Sequence, residues 1–399
     1  MRAGQGRETG VARAAVTAVF LINGIGYGNW VARIPSIRDE LRLDTQALGL
    51  ALLGVAIGSL VGLPLSGALV ARFGSRRMTT IAGLAFCASL VLPALAINAV
   101  TLALGLVLLG AATGILDVSM NAAGAIVERR GHTSIMSSYH AGFSFGGLIG
   151  AAFGGFLAGR GVDPLPHLAL AALVGLGAMA LATRPLLPSD ADERTTGPAF
   201  ALPTRKLALL GAIGFGALLS EGAMADWSGI YLRDIRATDT ATAAYGYAAF
   251  SLCMAIGRLG GDWLVGRFGT VLAVRAGGIV AAVGLAAVLL VPSVGLALVG
   301  FAGVGLGISI IFPLILSAAA RSGELSSGTA LAAVSTLGYL GFLAGPPLLG
   351  IVAHSTTIGV ALWLVVLLCV GIAALAGSAG GGKAGATHEQ IVSSGSPSR

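Results

Sequence analysis

Runs of about twenty apolar residues, the length that carries an α-helix across a bilayer, recur along this chain of 399 residues with only short polar breaks between them. No soluble core can use that many. Only 10% of the residues are charged, against about 25% in a soluble domain. A soluble protein so poor in charge could not cover its own surface. The chain is therefore an all-α membrane protein, because lipid leaves only helices and closed barrels able to satisfy their backbone groups, and runs this long are helical.

Twelve transmembrane helices are predicted, at 13–33, 45–70, 78–97, 99–127, 134–159, 165–186, 205–232, 241–265, 271–291, 294–319, 325–353 and 357–377. The longest polar break, around 187–204, holds Ser189, Asp190, Asp192, Glu193 and Arg194 and divides the spans into two sets of six. The expected organisation is an N-terminal six-helix bundle at 1–186, a cytoplasmic linker at 187–204 and a C-terminal six-helix bundle at 205–377. A Gly- and Ser-rich disordered cytoplasmic tail is expected at 378–399. Lys and Arg concentrate in cytoplasmic loops. With both termini in the cytoplasm, 17 of the 24 basic residues fall on that side and 6 on the other, among them Arg33, Arg38, Arg42, Arg160, Arg233 and Arg236. An odd number of spans would spoil this bias. The expected location is the inner cell membrane.

The net charge of +7 fits loops facing anionic lipid, and nucleic acid is not an expected partner. The 62 glycines suit helices that approach closely in lipid, where small residues line the contacts; Gly146, Gly150 and Gly154 make one such ridge. Cys87, Cys253 and Cys369 each lie in an apolar run, which favours structural thiols over a disulfide framework or a metal site. No phosphate loop, metal-ligand cluster or nucleophile motif is present. No catalytic residue, metal or cofactor is expected, and the energy source should be an ion gradient instead of ATP.

The two sets of six are related. Leu69-Val70-Ala71-Arg72-Phe73-Gly74 returns 195 residues later as Leu264-Val265-Gly266-Arg267-Phe268-Gly269. Gly62 and Gly257, Gly150 and Gly345, and Gly155 and Gly350 match at the same offset. In the fourth and tenth spans Gly105-Leu106 to Gly110 resembles Gly295-Leu296 to Gly300. Parallel repeats of this kind place a substrate path on the axis between the halves.

Gly67-x-Leu69-x-x-Arg72-x-Gly74-x-Arg76-Arg77 resembles the loop signature between the second and third helices of the major facilitator superfamily, and the resemblance extends over all twelve spans. It implies two pseudo-symmetric six-helix bundles and a monomer. The aspartate usual in that loop is Ala71 here; in the second half Asp262, four residues after Arg258, would take over part of the charge pairing. Arg72, Arg76, Arg258, Asp262 and Arg267 are thus the expected cytoplasmic gate. Leu116-Asp117-Val118-Ser119-Met120-Asn121 and Phe143-Ser144-Phe145-Gly146, with His140 before it, resemble the fourth and fifth helices of fucose permeases. Ser134 through Tyr139-His140 to Gly147 also resembles the branch that includes a rhizopine (inositol-derivative) transport protein. These likenesses imply a sugar-like or cyclitol-like solute. The first-helix acid of fucose permeases is absent, with Asn29-Trp30-Val31 in its region.

An ionisable group at membrane depth costs about 2.5–3.5 kcal/mol on insertion scales and so suggests function by default. Asp117 and Asn121 are one helical turn apart on one face, and their counterparts in the tenth span are Gly307 and Ile311. The duplication therefore makes no structural demand for an acid there. Asp117, Glu221 and Asp226 are candidates for proton coupling, with an interface pair to Arg33 or Arg233 as the other reading of Asp226. His140 serves either ligand binding or proton relay, or a packing hydrogen bond. Asn23, Asn29, Trp30, Asn121, His140, Tyr247 and Tyr339 are the candidate substrate-binding set, since a sugar needs hydroxyl-bonding groups and an aromatic face.

The expected function is proton-coupled secondary transport of a small polar solute, with proton and solute as partners in a membrane-lipid setting. The alternative is proton-driven export of drug-like or hydrophobic compounds. Antiporters of the superfamily often carry Gly-Pro in the fifth helix, where this chain has Gly150-Ala151-Ala152-Phe153-Gly154; a Gly345-Pro346-Pro347 element occurs in the eleventh span. A transport-derived receptor is disfavoured by the short loops.

Overall fold

The computed structural model describes residues 2–131, 135–187, 204–323, 325 and 327–380. Among them, twelve helical segments are long and apolar enough to cross a membrane, and no strand occurs. The first span is α1 (Arg2–Val31) continued by α2 (Ile34–Leu41). Then follow α3 (Thr45–Phe73), α4 (Ser75–Ser89) with the 3-10 turn Leu92–Leu95, α5 (Ala99–Gly131), α6 (Met136–Gly159) and α7 (Pro164–Ala182). The second half comprises α8 (Arg205–Asp234), α9 (Thr240–Phe268), α10 (Thr270–Leu290), α11 (Val294–Ile308) with α12 (Ile311–Ala320), α13 (Ser327–Ser355) and α14 (Ile358–Leu375). Residues 188–203 of the expected linker and 381–399 of the expected tail lie outside the described residues. Ala376–Ala379 close the last span as a 3-10 turn, so the expected tail begins later than 378.

Several spans differ from the apolar pattern. The first, expected over 13–33, breaks at residues 32–33 and continues to Leu41, and the third, expected over 78–97, ends its α-helix at Ser89. The fourth runs to Gly131, beyond the expected 127, because helical geometry continues past the end of the apolar run. The tenth, expected as one helix over 294–319, breaks at Ser309–Ile310. Pro313 has no N–H to give the Ser309 carbonyl, so the first turn of α12 cannot close onto α11.

The glycine ridge is a packing face. A Cβ at Gly146 or Gly150 would collide with the backbone carbonyls of Leu21 or Ile25, and one at Gly154 would lie 2.7 Å from Ala32 Cβ. Helices α1 and α6 thus meet backbone to backbone.

The duplication reappears in backbone detail. Asp44 caps α3 by accepting from Ala47 N at 2.7 Å, and Asp239 caps α9 by accepting from Thr242 N at 2.8 Å. Arg42 and Ala237 both adopt a left-handed φ of 52°, and Gly74 and Gly269 end α3 and α9 at φ 81° and 79°. Each pair is 195 residues apart.

An even number of spans puts residues 2 and 380 on the same face, called here the near face; the opposite one is the far face. Two seams join the halves toward the far face. On one, Gly155 rests on Ala241 and Ala244 at the start of α9; on the other, Gly350 rests on Thr45 and Gly49 at the start of α3. These seams are again related by the 195-residue offset. Toward the near face, Gly67 on α3 and Gly260 and Gly266 on α9 have open space beside them.

Candidate functional site

The polar groups that the apolar pattern left unexplained collect where the two halves meet, at the depth of Asp117 and Glu221. In the first half, Asn121 Nδ2 donates to Asp117 Oδ1 at 3.1 Å and to the Asp117 carbonyl at 2.8 Å. The i,i+4 spacing on α5 places the amide over the carboxylate. Both side chains remain partly exposed.

In the second half, Arg258 Nη2 donates to Glu221 Oε1 at 3.3 Å, joining α9 to α8. Its Nη1 crosses to the first half, where it donates to Ser144 Oγ at 2.7 Å and to the His140 carbonyl at 3.4 Å. One guanidinium therefore ties together α6, α8 and α9, using its planar fork of donors. The expected pairing of Arg258 with Asp262 is not observed. Asp262 is exposed one turn further along α9, and the side chain of Arg258 turns inward because Glu221 and two acceptors lie there.

Aromatic side chains complete the enclosure. Tyr27 on α1 meets Tyr247 on α9 edge-on at 6.2 Å between ring centroids, and Phe143 on α6 at the same separation. Tyr247 also stacks on Phe250 at 5.8 Å. A Cβ at Gly147 would lie 3.2 Å from Ser251 Oγ and 3.3 Å from Tyr247 Oη. A larger residue at 147 would press on these two hydroxyls where they reach α6. Tyr339 lies within electrostatic range of both Asp117 and Glu221, and Tyr27 within range of Asp226, Tyr247 and Glu221. Asp226 has no ion-pair partner among the described residues. Neither Arg33 nor Arg233 pairs with it, since each is engaged elsewhere.

The site thus gathers Asp117, Asn121, Glu221, Tyr247, Tyr339 and the backbone of His140 from the residues the sequence singled out. The His140 ring sits edge-on to Phe20 at 5.2 Å. Asn23 is buried at the edge of the site, its Nδ2 3.9 Å from Met120 Sδ and its Oδ1 without a hydrogen-bond partner. Tyr27, Ser144 as an arginine acceptor, and Ser251 were missed. Tyr27 lies one turn from Asn23 on α1, a spacing visible in the sequence.

Asn29 and Trp30 do not join this site. Asn29 Oδ1 is 2.7 Å from His167 Nε2, and His167 Nδ1 accepts from Arg33 Nε at 2.7 Å. Since Arg33 can only donate, the His167 Nδ1 must be the bare nitrogen and Nε2 carries the proton toward Asn29. Arg33, at 2% exposure, and His167, at 1%, are core groups of the first half. Asn29 is used up in holding them, and Trp30 is buried in the same core. The sequence showed polar residues in the first span without showing which neighbour each would face.

Of the expected gate residues Arg258 bridges the halves through Ser144, whereas Arg72, Arg76 and Arg267 do not in this shape. Arg76 Nη2 donates to the Arg184 carbonyl at 2.8 Å, Arg72 lies over the Phe73 ring at 5.1 Å, and Arg267 lies over Phe268 at 5.9 Å. All three arginines are exposed.

Comparison with known proteins agrees with this architecture. The family model of the Major Facilitator Superfamily matches residues 16–346. An uncharacterized MFS-type transporter of Yersinia pestis is 34% identical over 373 residues, covering 93% of this chain and 97% of that protein. The membrane protein MosC of Rhizobium meliloti is 33% identical over 363 residues, covering 90% of this chain and 88% of its own. Among solved structures, the nucleoside transporter NupG superposes with a TM-score of 0.73 at 14% identity, covering 92% of this chain and 99% of that one. The fucose:proton symporter FucP of E. coli superposes with a TM-score of 0.63 at 16% identity, covering 93% and 98%. At those identities the two structures speak for the fold alone. The chain belongs to the Major Facilitator Superfamily.

Proposed function

We propose that this transporter moves a small polar solute, sugar-like or cyclitol-like, across the inner membrane by alternating access, coupled to protons through Asp117, Glu221 or both. The observation that carries this reading is the composition of the central site. Two carboxylates, an amide, an arginine and three tyrosines converge there from both halves. Hydroxyl-rich solutes need donors and acceptors on several sides and a flat apolar face for the ring, and this set supplies both. A hydrophobic compound would leave those polar groups unpaired on binding, at a cost of about 1–3 kcal/mol each, which disfavours the export reading.

Coupling follows from the guanidinium of Arg258. Protonation of Glu221 cancels the charge that holds the guanidinium and so loosens it to turn toward a solute oxygen or toward the first half. Asp117 stands on the opposite wall as a second proton acceptor. Asn23, Asn121, Tyr247 and Tyr339 are the proposed solute contacts, with His140 and Asp226 as further candidates, and Arg72, Arg76 and Arg267 serve at the near face when it closes. Both termini lie in the cytoplasm in this reading, with the bundles at 1–186 and 205–377.

The test is uptake into proteoliposomes of a panel of sugars, cyclitols and amphipathic drugs under an imposed proton gradient. Gradient-dependent accumulation of a polyhydroxylated solute is expected. Transport of amphipathic compounds alone, or solute accumulation with no proton movement, would overturn the substrate or the coupling claim respectively.

A further inference from the structure

The far face holds an arrangement that the central site does not use. Arg38-Asp39 on α2 and Arg233-Asp234 at the end of α8 are the same dipeptide, 195 residues apart. They pair crosswise. Arg38 Nη1 donates to both Asp234 oxygens, at 2.8 and 2.7 Å, and Arg233 Nη2 donates to Asp39 Oδ2 at 2.7 Å. Each arginine also donates to the carbonyl five residues ahead, Arg38 to Leu43 at 3.2 Å and Arg233 to Thr238 at 3.3 Å. Those carbonyls sit between the left-handed residues Arg42 and Ala237 and the helix caps Asp44 and Asp239. The two halves therefore present equivalent ends, each with an arginine held extended by its own loop and a carboxylate beside it.

We infer that this duplicated Arg-Asp dipeptide is a reciprocal lock that holds the far face closed, with each half giving one charge and receiving the other. A surface related to itself by two-fold pseudo-symmetry must be self-complementary. An Arg-Asp dipeptide is the smallest sequence that meets this condition with charge. Bracing by the loop carbonyl lowers the side-chain entropy lost on pairing, which is what makes most exposed ion pairs weak. The lock lies just beyond the two glycine seams, so closing it brings Gly155 onto α9 and Gly350 onto α3. The two bonds are unequal. Arg38–Asp234 has side-chain exposures of 17% and 33%, whereas Arg233–Asp39 has 32% and 51%, so the former should contribute more.

The inference rests on the alternating-access reading, but its test measures shape and not transport, so failure of one does not imply failure of the other. Thr45→Cys and Thr240→Cys, one at each seam, are made separately in full-length protein carrying Cys253→Ser. Labelling by a membrane-impermeant maleimide is then timed from the far face in proteoliposomes. Asp234→Asn is expected to speed labelling at both reporters by up to about fivefold, the upper range for loss of one exposed pair. Asp39→Asn should have a smaller effect. The charge exchange Arg38→Asp with Asp234→Arg should return the rate toward its original value. Raising salt should speed labelling of the reporters with the lock intact, because exposed charges are screened; this arm needs no lock variant to fold. Unchanged rates in Asp234→Asn, no recovery on charge exchange, or no salt effect would each overturn the lock.

Discussion

Arg258 donates its Nη1 to the hydroxyl of Ser144 at 2.7 Å, across the boundary between the two halves. The same guanidinium holds Glu221 at 3.3 Å. The contact makes one side chain sensitive both to the charge on Glu221 and to the relative position of the bundles. A transporter needs such a group if proton binding is to bias its shape.

Replacing Arg258 by Ala should therefore lower gradient-driven uptake by about tenfold or more, the effect of losing a hydrogen bond to a charged group. Arg258→Lys should recover only part of this, because an ammonium cannot reach Glu221 and Ser144 from one rigid fork. Initial uptake rates of the two variants, at matched protein levels, check the order.

Asp117→Asn keeps the shape and the acceptor for Asn121 but cannot carry a proton charge. Solute exchange between equal pools should persist, while accumulation against a gradient should be lost. Undiminished accumulation, measured beside exchange in the same vesicles, would remove Asp117 from the coupling role and leave Glu221.

The Asn29–His167–Arg33 chain predicts a separate outcome. His167→Ala leaves the buried Arg33 guanidinium without its acceptor, an uncompensated polar group in the core that costs about 1–3 kcal/mol. The melting temperature of purified protein should fall by several degrees for His167→Ala and Asn29→Ala. Solute affinity of the folded fraction should stay the same. A selective loss of affinity in Asn29→Ala would restore Asn29 to the binding site.

Gly150→Leu should prevent α1 and α6 from closing, since even a Cβ there collides with the Ile25 carbonyl. Folded yield after detergent extraction should collapse. Gly177→Ala, at a position with open space beside it, should extract and melt as the parent protein does.

Much of this was visible along the chain. The number of spans follows from apolar length alone, because lipid demands a closed backbone for each crossing. The duplication showed in Arg72-Phe73-Gly74 against Arg267-Phe268-Gly269 and returned in the matched caps and left-handed residues. Asp117 with Asn121 was legible as an i,i+4 pair with no counterpart in the second half. In the structure that counterpart region is the helix break between α11 and α12, so the asymmetry is larger than the residues alone suggested.

Partner choice was decided elsewhere. Sequence placed Arg258 beside Asp262 by spacing; the fold turned it to Glu221 and Ser144, which are 37 and 114 residues away. Sequence placed Asn29 among the solute contacts; the fold bound it to His167, 138 residues away. The sequence by itself determined the membrane class, the helices and their twofold repetition, because these depend on local hydrophobic length and on residues recurring at a fixed offset. Tertiary structure alone decided which polar group meets which. A helix presents each side chain in a known direction, but the neighbour waiting there depends on the rotation and approach of another helix, which the glycine seams set.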